Sequence, residues 1–241
     1  MKSISTLFQR EFFGYFRTPV AYVFLVVFLV ATVGLAWFLG RFFDGGEATL
    51  ARFFVFLPWV FLFLVPAVGM RLWAEEKRSG TWELLFTLPV SIPEAVLGKF
   101  LAGWLFLCIA LMGTLTMAIT VAYLGSPDWG VIFSGYLGAF LMAGAYLSIC
   151  SLTSALSRSQ VISFVISVVS CLILVFLGWS VFNNFLTAIH LPVPMVDAIA
   201  NFSFITHFDP MTIGLIRFQD LAFFLTIIGA CLSLNIIILK R

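Results

Sequence analysis

Apolar runs of about twenty residues recur along this chain of 241 residues, each long enough to cross the roughly 30 Å hydrocarbon core of a bilayer as a helix. They fall near 20–39, 53–70, 100–124, 131–156, 161–181 and 221–239. The balance of residue types points the same way, because 62% are apolar and only 10% charged, whereas soluble domains carry roughly 25% charged residues. The expected fold is an all-α integral membrane protein in which residues 1–241 form one domain of six transmembrane helices. The first run follows Lys2, Arg10 and Arg17 as a signal peptide's would, but it is too long and no small-residue cleavage site follows, so it reads as a retained span.

Six crossings put both termini on one side, and the Lys/Arg distribution says which. With the termini cytoplasmic, that side holds Lys2, Arg10, Arg17, Arg71, Lys77, Arg78, Lys99, Arg158, Lys240 and Arg241, leaving Arg41, Arg52 and Arg217 outside. Ahead of the first span, Ile4, Leu7, Phe8, Phe12, Tyr15 and Phe16 recur at helical spacing with Lys2, Gln9, Arg10 and Arg17 mostly off that stripe. This pattern fits an interfacial amphipathic helix and equally a basic flank that only fixes topology. Small residues at four-residue spacing, Gly135, Ala139 and Ala143, then Ser163, Ser167 and Cys171, then Gly229 and Ser233, mark faces where spans can pack closely.

The charged residues concentrate in a cytoplasmic hinge at 71–99 between the second and third spans. Glu75, Glu76, Lys77 and Arg78 lead into Ser79-Gly80, which interrupts the extension of the second span. Thr81 can cap a short helix, with Glu83 placed to complement its positive end, and Leu88-Pro89-Val90 stops it. Ser91 with Glu94 forms a capping box, Pro93 sits in the tolerated first turn, and a new helix runs through Lys99 into the third span. Trp82, Leu84, Leu85, Phe86 and Leu88 give this knuckle an apolar face and the Glu/Lys/Arg cluster a polar one. It reads either as a docking surface or as residues resting in the headgroup layer, tryptophan anchoring and basic groups snorkelling.

At these residues the chain resembles the permease subunits of ATP-binding-cassette transporters, in the type 2 exporter superfamily. Glu75-Glu76-Lys77-Arg78-Ser79-Gly80-Thr81-Trp82-Glu83-Leu84-Leu85, followed by Leu88-Pro89-Val90-Ser91, looks like that family's loop between spans two and three. The closing segment from His207-Phe208-Asp209 through Gly214 to Asp220 is similar to the subgroup of gliding-motility and nitrous-oxide-reductase-maturation permeases. Arg217 departs from it, standing where an acidic residue is expected.

The resemblance implies a non-catalytic permease subunit of an ATP-driven exporter in the bacterial inner membrane, paired with a second permease protomer, identical or different, and docked on a dimer of separate ATPase subunits that hold ATP and Mg. An extracytoplasmic accessory protein and membrane lipid are further partners it allows. By the same resemblance the knuckle is a coupling helix seated on the ATPase, with Glu75, Glu76, Arg78, Thr81, Trp82, Glu83, Leu84, Leu85, Pro89 and Ser91 as docking residues. The amphipathic segment resembles a connecting helix carrying Arg10, Phe12 and Phe16. An alternative within the family is that the motion reaches an outer partner and nothing is transported.

The residues themselves narrow the remaining choices. Gly98-Lys99 is the lone Gly-Lys pair, but Pro93 stands where a phosphate-cradling loop needs glycine and Phe100 where it needs Ser/Thr, so the chain itself is expected to bind no nucleotide and no cofactor. A net charge of +2 gives no footprint for nucleic acid. An ion-coupled secondary transporter keeps ionisable groups near the midplane, and a membrane enzyme needs a catalytic constellation; neither pattern is visible. Cys108, Cys150, Cys171 and Cys231 lie in apolar runs as packing residues, and His190 and His207, in the outer loop 182–219, have too few neighbouring ligands for a metal. Pro192, Pro194 and Pro210 are expected to break that loop into short helices or re-entrant pieces. Thr114, Thr116, Thr120 and Asn235 are the main polar groups within the spans, the threonines expected to bond back to their own helices.

Overall fold

A bilayer offers no water to an open backbone group, so spanning segments with this composition must close their hydrogen bonds internally as helices. The computed structural model describes residues 2–40, 49–80, 91–189 and 192–240, and every regular element within them is helical. Helix α1 (Lys2–Phe16) precedes α2 (Pro19–Phe38), whose Pro19 occupies the first turn. A short α3 (Ala51–Phe54) leads into α4 (Leu57–Gly69) and α5 (Arg71–Ser79). Then come α6 (Ile92–Gly113), α7 (Leu115–Leu124), α8 (Trp129–Leu156) and α9 (Gln160–Phe176). Three short helices follow, α10 (Ser180–Ala188), α11 (Val193–Ala200) and α12 (Phe204–Thr212), before α13 (Phe218–Leu239) closes the fold.

Five of these units are long and apolar enough to cross a membrane: Pro19–Phe38, Leu57–Ser79, Ile92–Leu124, Trp129–Leu156 and Phe218–Leu239. The sixth span, expected at 161–181, is different. Helix α9 stops at Phe176 and the chain turns by 65° into α10, so it counts as a crossing only if the bent pair is taken together. The turn passes close to the start of α12, where a Cβ on Gly178 would lie 2.4 Å from Ser203 Oγ; a straight continuation would forfeit that contact.

Helix α8 is the axis of the bundle, with α13, α4, α9, α12, α6 and α5 all packed on it. Small residues make this crowding possible. A Cβ on Gly135 would lie 2.3 Å from the Phe54 ring, one on Gly144 2.7 Å from the Trp104 indole, and one on Gly69 2.3 Å from Cys150 Cβ. The stripe Gly135, Ala139, Ala143 therefore lies inside the bundle, and so does Ser163, Ser167, Cys171 of α9, where Ser167 and Thr153 share a hydrogen bond. The third small-residue pair behaves otherwise, because Gly229 and Ser233 lie on the outward face of α13 and Ser233 bonds back to Gly229 O. Outward faces of α2 and α9 are apolar too, with Val23, Val26, Val30, Val161, Ile162 and Val165 exposed, as side chains solvated by lipid tails should be.

The proline expectations hold in part. Pro192 and Pro194 open α11, but Pro210 lies inside α12 near its end and does not break it. Helix α12 is held against α8 by Ser134 Oγ, which donates to Met211 O at 2.7 Å, and by Phe208 and Met211, which fill the space over Gly138.

Candidate functional site

Helices occupy both ends of the expected coupling segment 71–99: residues 71–79 form α5, directly below α4, and α6 begins at Ile92. Ser91 caps α6 as expected, its N–H and its hydroxyl donating to Glu94 Oε2 at 3.0 and 2.8 Å. Helix α5 ends at Gly80, whose φ of 71° is the left-handed conformation that glycine adopts without strain. Thr81, Trp82, Glu83, Leu84, Leu85 and Pro89 lie outside the described residues. Glu75 and Arg78 are exposed and Glu76 is half-buried.

What joins the two sides of this joint is an ammonium group that the sequence places alone in an apolar run. Lys99 is the one charged residue between Glu94 and Asp128, and it is 3% exposed. Its Nζ lies 2.7 Å from Glu76 Oε1 on α5, 3.5 Å from Glu11 Oε2 on α1 and 5.2 Å from the centre of the Trp73 ring. Glu11 also pairs with Arg10 at 2.7 Å, so charges alternate Arg10, Glu11, Lys99, Glu76 across α1, α6 and α5. Such a network suits a bundle end, where one ion would be costly to desolvate alone and alternating neighbours offset the loss of water. The Lys77 ammonium donates to Ala155 O, tying α5 to the C-terminal turn of α8.

Helix α1 completes the platform. Leu7 sits over Gly98, Tyr15 stacks on Phe106 at 5.0 Å, and Phe16 meets the same ring edge-on at 5.8 Å. Phe12 lies between Phe8 and Phe16, at 5.8 and 5.3 Å, while Arg10 faces outward. The amphipathic reading of residues 2–16 therefore describes how α1 sits on α6, and not merely a charged flank. Between α1, α5 and α6 is a cleft of about 160 Å³ lined by Glu11, Tyr15, Arg71, Glu75 and Lys99. Burial pushes the Tyr15 hydroxyl above its ordinary range, Glu11 adding to the shift and Arg71 opposing it.

Directly beneath lies a break in the helix that carries the platform. At Met70 the ladder opens: Trp73 N–H and Ala74 N–H both donate to Ser154 Oγ, at 3.1 and 3.0 Å, and Ser154 donates to Met70 O at 3.0 Å. A side chain inserted into the ladder loosens a helix at that point, and here α8 supplies it. One turn away Ser151 Oγ accepts from Trp73 Nε1 at 3.1 Å and Asn235 Nδ2 at 2.7 Å, so α5, α8 and α13 meet on one hydroxyl. Asn235 is the span residue for which a bond to another helix replaces back-bonding; Thr114, Thr116 and Thr120 each donate to a carbonyl of the preceding turn.

At the opposite end His207 is fully engaged. Its Nε2 lies 2.9 Å from Asn201 O and its Nδ1 2.7 Å from Asp220 Oδ1, both side chains are nearly inaccessible, and Phe223 stacks on the imidazole at 4.0 Å. A carbonyl can only accept, so Nε2 carries a proton. A second proton must then lie between Nδ1 and the carboxyl group. Among the described residues no three His, Cys, Asp or Glu side chains gather as a metal site. The reading of His207 as structural therefore gains a partner, Asp220, that spacing alone did not reveal.

A bundle of apolar helices with a charged, three-helix platform at one end and an opened helix ladder leading away from it defines an all-α integral membrane protein. The profile described as ABC-2 family transporter protein matches residues 48–238, from before α3 to the last turn of α13, and the chain belongs to that family. The probable ABC transporter permease protein NosY of Pseudomonas aeruginosa is 28% identical over 170 residues, covering 66% of this chain. The match spans 60% of that relative's length.

Proposed function

We propose that this chain is the membrane-spanning permease subunit of an ATP-driven exporter, driven by separate ATPase subunits that dock where α5 and α6 approach each other. Family membership supports the permease role. The observation that carries the docking reading is the Glu76–Lys99–Glu11 network, which fixes the helices on both sides of residues 81–90 to each other and to α1. Force applied to that joint passes into three helices as one body. It then meets the Ser154-held break between α5 and α4, where a change of angle costs few backbone hydrogen bonds because the ladder is already open. ATP and Mg belong to the ATPase subunits in this scheme, and the permease protomer acts beside a second one. The Lys/Arg distribution supports a cytoplasmic platform, and with six crossings both termini lie on that same face of the inner membrane.

Charge reversal at Glu75 and Glu76 together, or Trp82→Pro, is expected to abolish co-purification with the ATPase subunit while the variant still inserts in the membrane. Full ATPase recovery with these variants would remove the docking role from this joint.

A further inference from the structure

We propose that the groove between α2 and α4 at the platform end seats an acyl chain of an anionic phospholipid, with Arg71 holding its phosphate. The groove encloses about 250 Å³. Val23 and Val27 of α2, Leu64 and Ala67 of α4, and Phe106 of α6 form its walls, and Tyr15, Thr18 and Arg71 form its polar end. This is the order of chemistry along a phospholipid, tail first and charge last.

Three observations select that occupant. Arg71 Nε is buried and has no hydrogen-bond partner, and no ion pair of Arg71 occurs among the described residues. A guanidinium in that condition seeks a phosphate or carboxylate that can accept from its fork of N–H groups. Of the carboxylates beyond it in the adjoining cleft, Glu11 is already shared by Arg10 and Lys99, and Glu75 is exposed, so Arg71 is the positive group that faces the apolar groove. Finally, Val23 and Val27 are 61% and 44% exposed, so the groove opens on a face that membrane lipid solvates. A second copy of this chain docking through α2 would bring no carboxylate to Arg71, because residues 19–38 contain no charged side chain. Exposed Arg17 adds positive charge beside Thr18, where lipid headgroups collect.

The experiment uses the purified full chain in detergent, with phosphatidylglycerol, phosphatidylethanolamine or phosphatidylcholine added, reading bound lipid by native mass spectrometry and Tm by thermal unfolding. Phosphatidylglycerol is expected to bind best and to raise Tm most. Arg71→Gln should weaken its binding on the order of tenfold, the loss of a charge-assisted contact, and remove the headgroup preference. Arg71→Lys should retain part of that preference, and Val27→Trp, which fills the groove and leaves the charge, should reduce binding of all three lipids. Arg217→Gln at the far end serves as the control and should change nothing. Equal binding of the three lipids by the unmodified chain, or an intact preference in Arg71→Gln, would overturn the proposal. So would a Val27→Trp variant that loses self-association while keeping its phosphatidylglycerol preference, since the groove would then be a chain–chain contact.

Discussion

Lys99 brings three helices to one ammonium group, and its removal leaves two carboxylates facing each other with Glu76 partly buried. Breaking a buried pair from one side costs about 3–5 kcal/mol, whereas neutralising both partners costs much less. Lys99→Met should therefore lower the thermal unfolding midpoint strongly, and adding Glu76→Gln should recover most of the loss; equal destabilisation by the single and double variants would show that the pairing is incidental. The sequence does display half of this arrangement, because a lone lysine inside an apolar run must find an anion. Which anion was not legible: Glu76 is 23 residues away and Glu11 is on α1, and only the fold brings them together. Ser154 was less legible still. Nothing distinguishes it from the other small residues of α8 until the open backbone of α5 is seen beside it.

Among the helices, α5 shows how a charged segment stays helical. Leu72, Trp73 and Ala74 are buried against α8 beside its Glu and Lys residues, and the helix runs to the Ser79-Gly80 interruption that the sequence marks. Patterns set locally were read well: the Ser91 and Glu94 box, the proline that opens α2, and the stripe of α1. Patterns that depend on a neighbour were not, as the turn after α9 shows. The short outer helices are pinned in the same long-range manner, His207 of α12 meeting Asp220 in the first turn of α13. Asp220→Ala removes the partner of Nδ1 and should speed amide hydrogen exchange across residues 204–212. Asp220→Asn should do so much less, because its amide N–H can donate to Nδ1 of an imidazole that keeps its proton on Nε2. Equal protection in the two variants would mean that apolar packing alone holds α12.

Taken whole, the molecule is a bundle organised around α8, with outward faces suited to lipid and a charged platform at one end. Its class was legible because a bilayer permits few architectures for such a composition. The number of crossings was less so, since the bent α9 and α10 pair decides between five and six and with it whether the termini share a side. The central claim is that the platform is where ATP-derived force enters, and cross-linking tests it most directly. Single cysteines placed at Arg78 and Ser91, both exposed, in a chain otherwise free of cysteine, would be joined by a short bifunctional reagent to subunits co-expressed with it. The account predicts adducts at both positions with a polypeptide that carries a phosphate-binding loop, formed from the cytoplasmic side. Labelling of both cysteines from the opposite side of the membrane, with no such adduct, would contradict it.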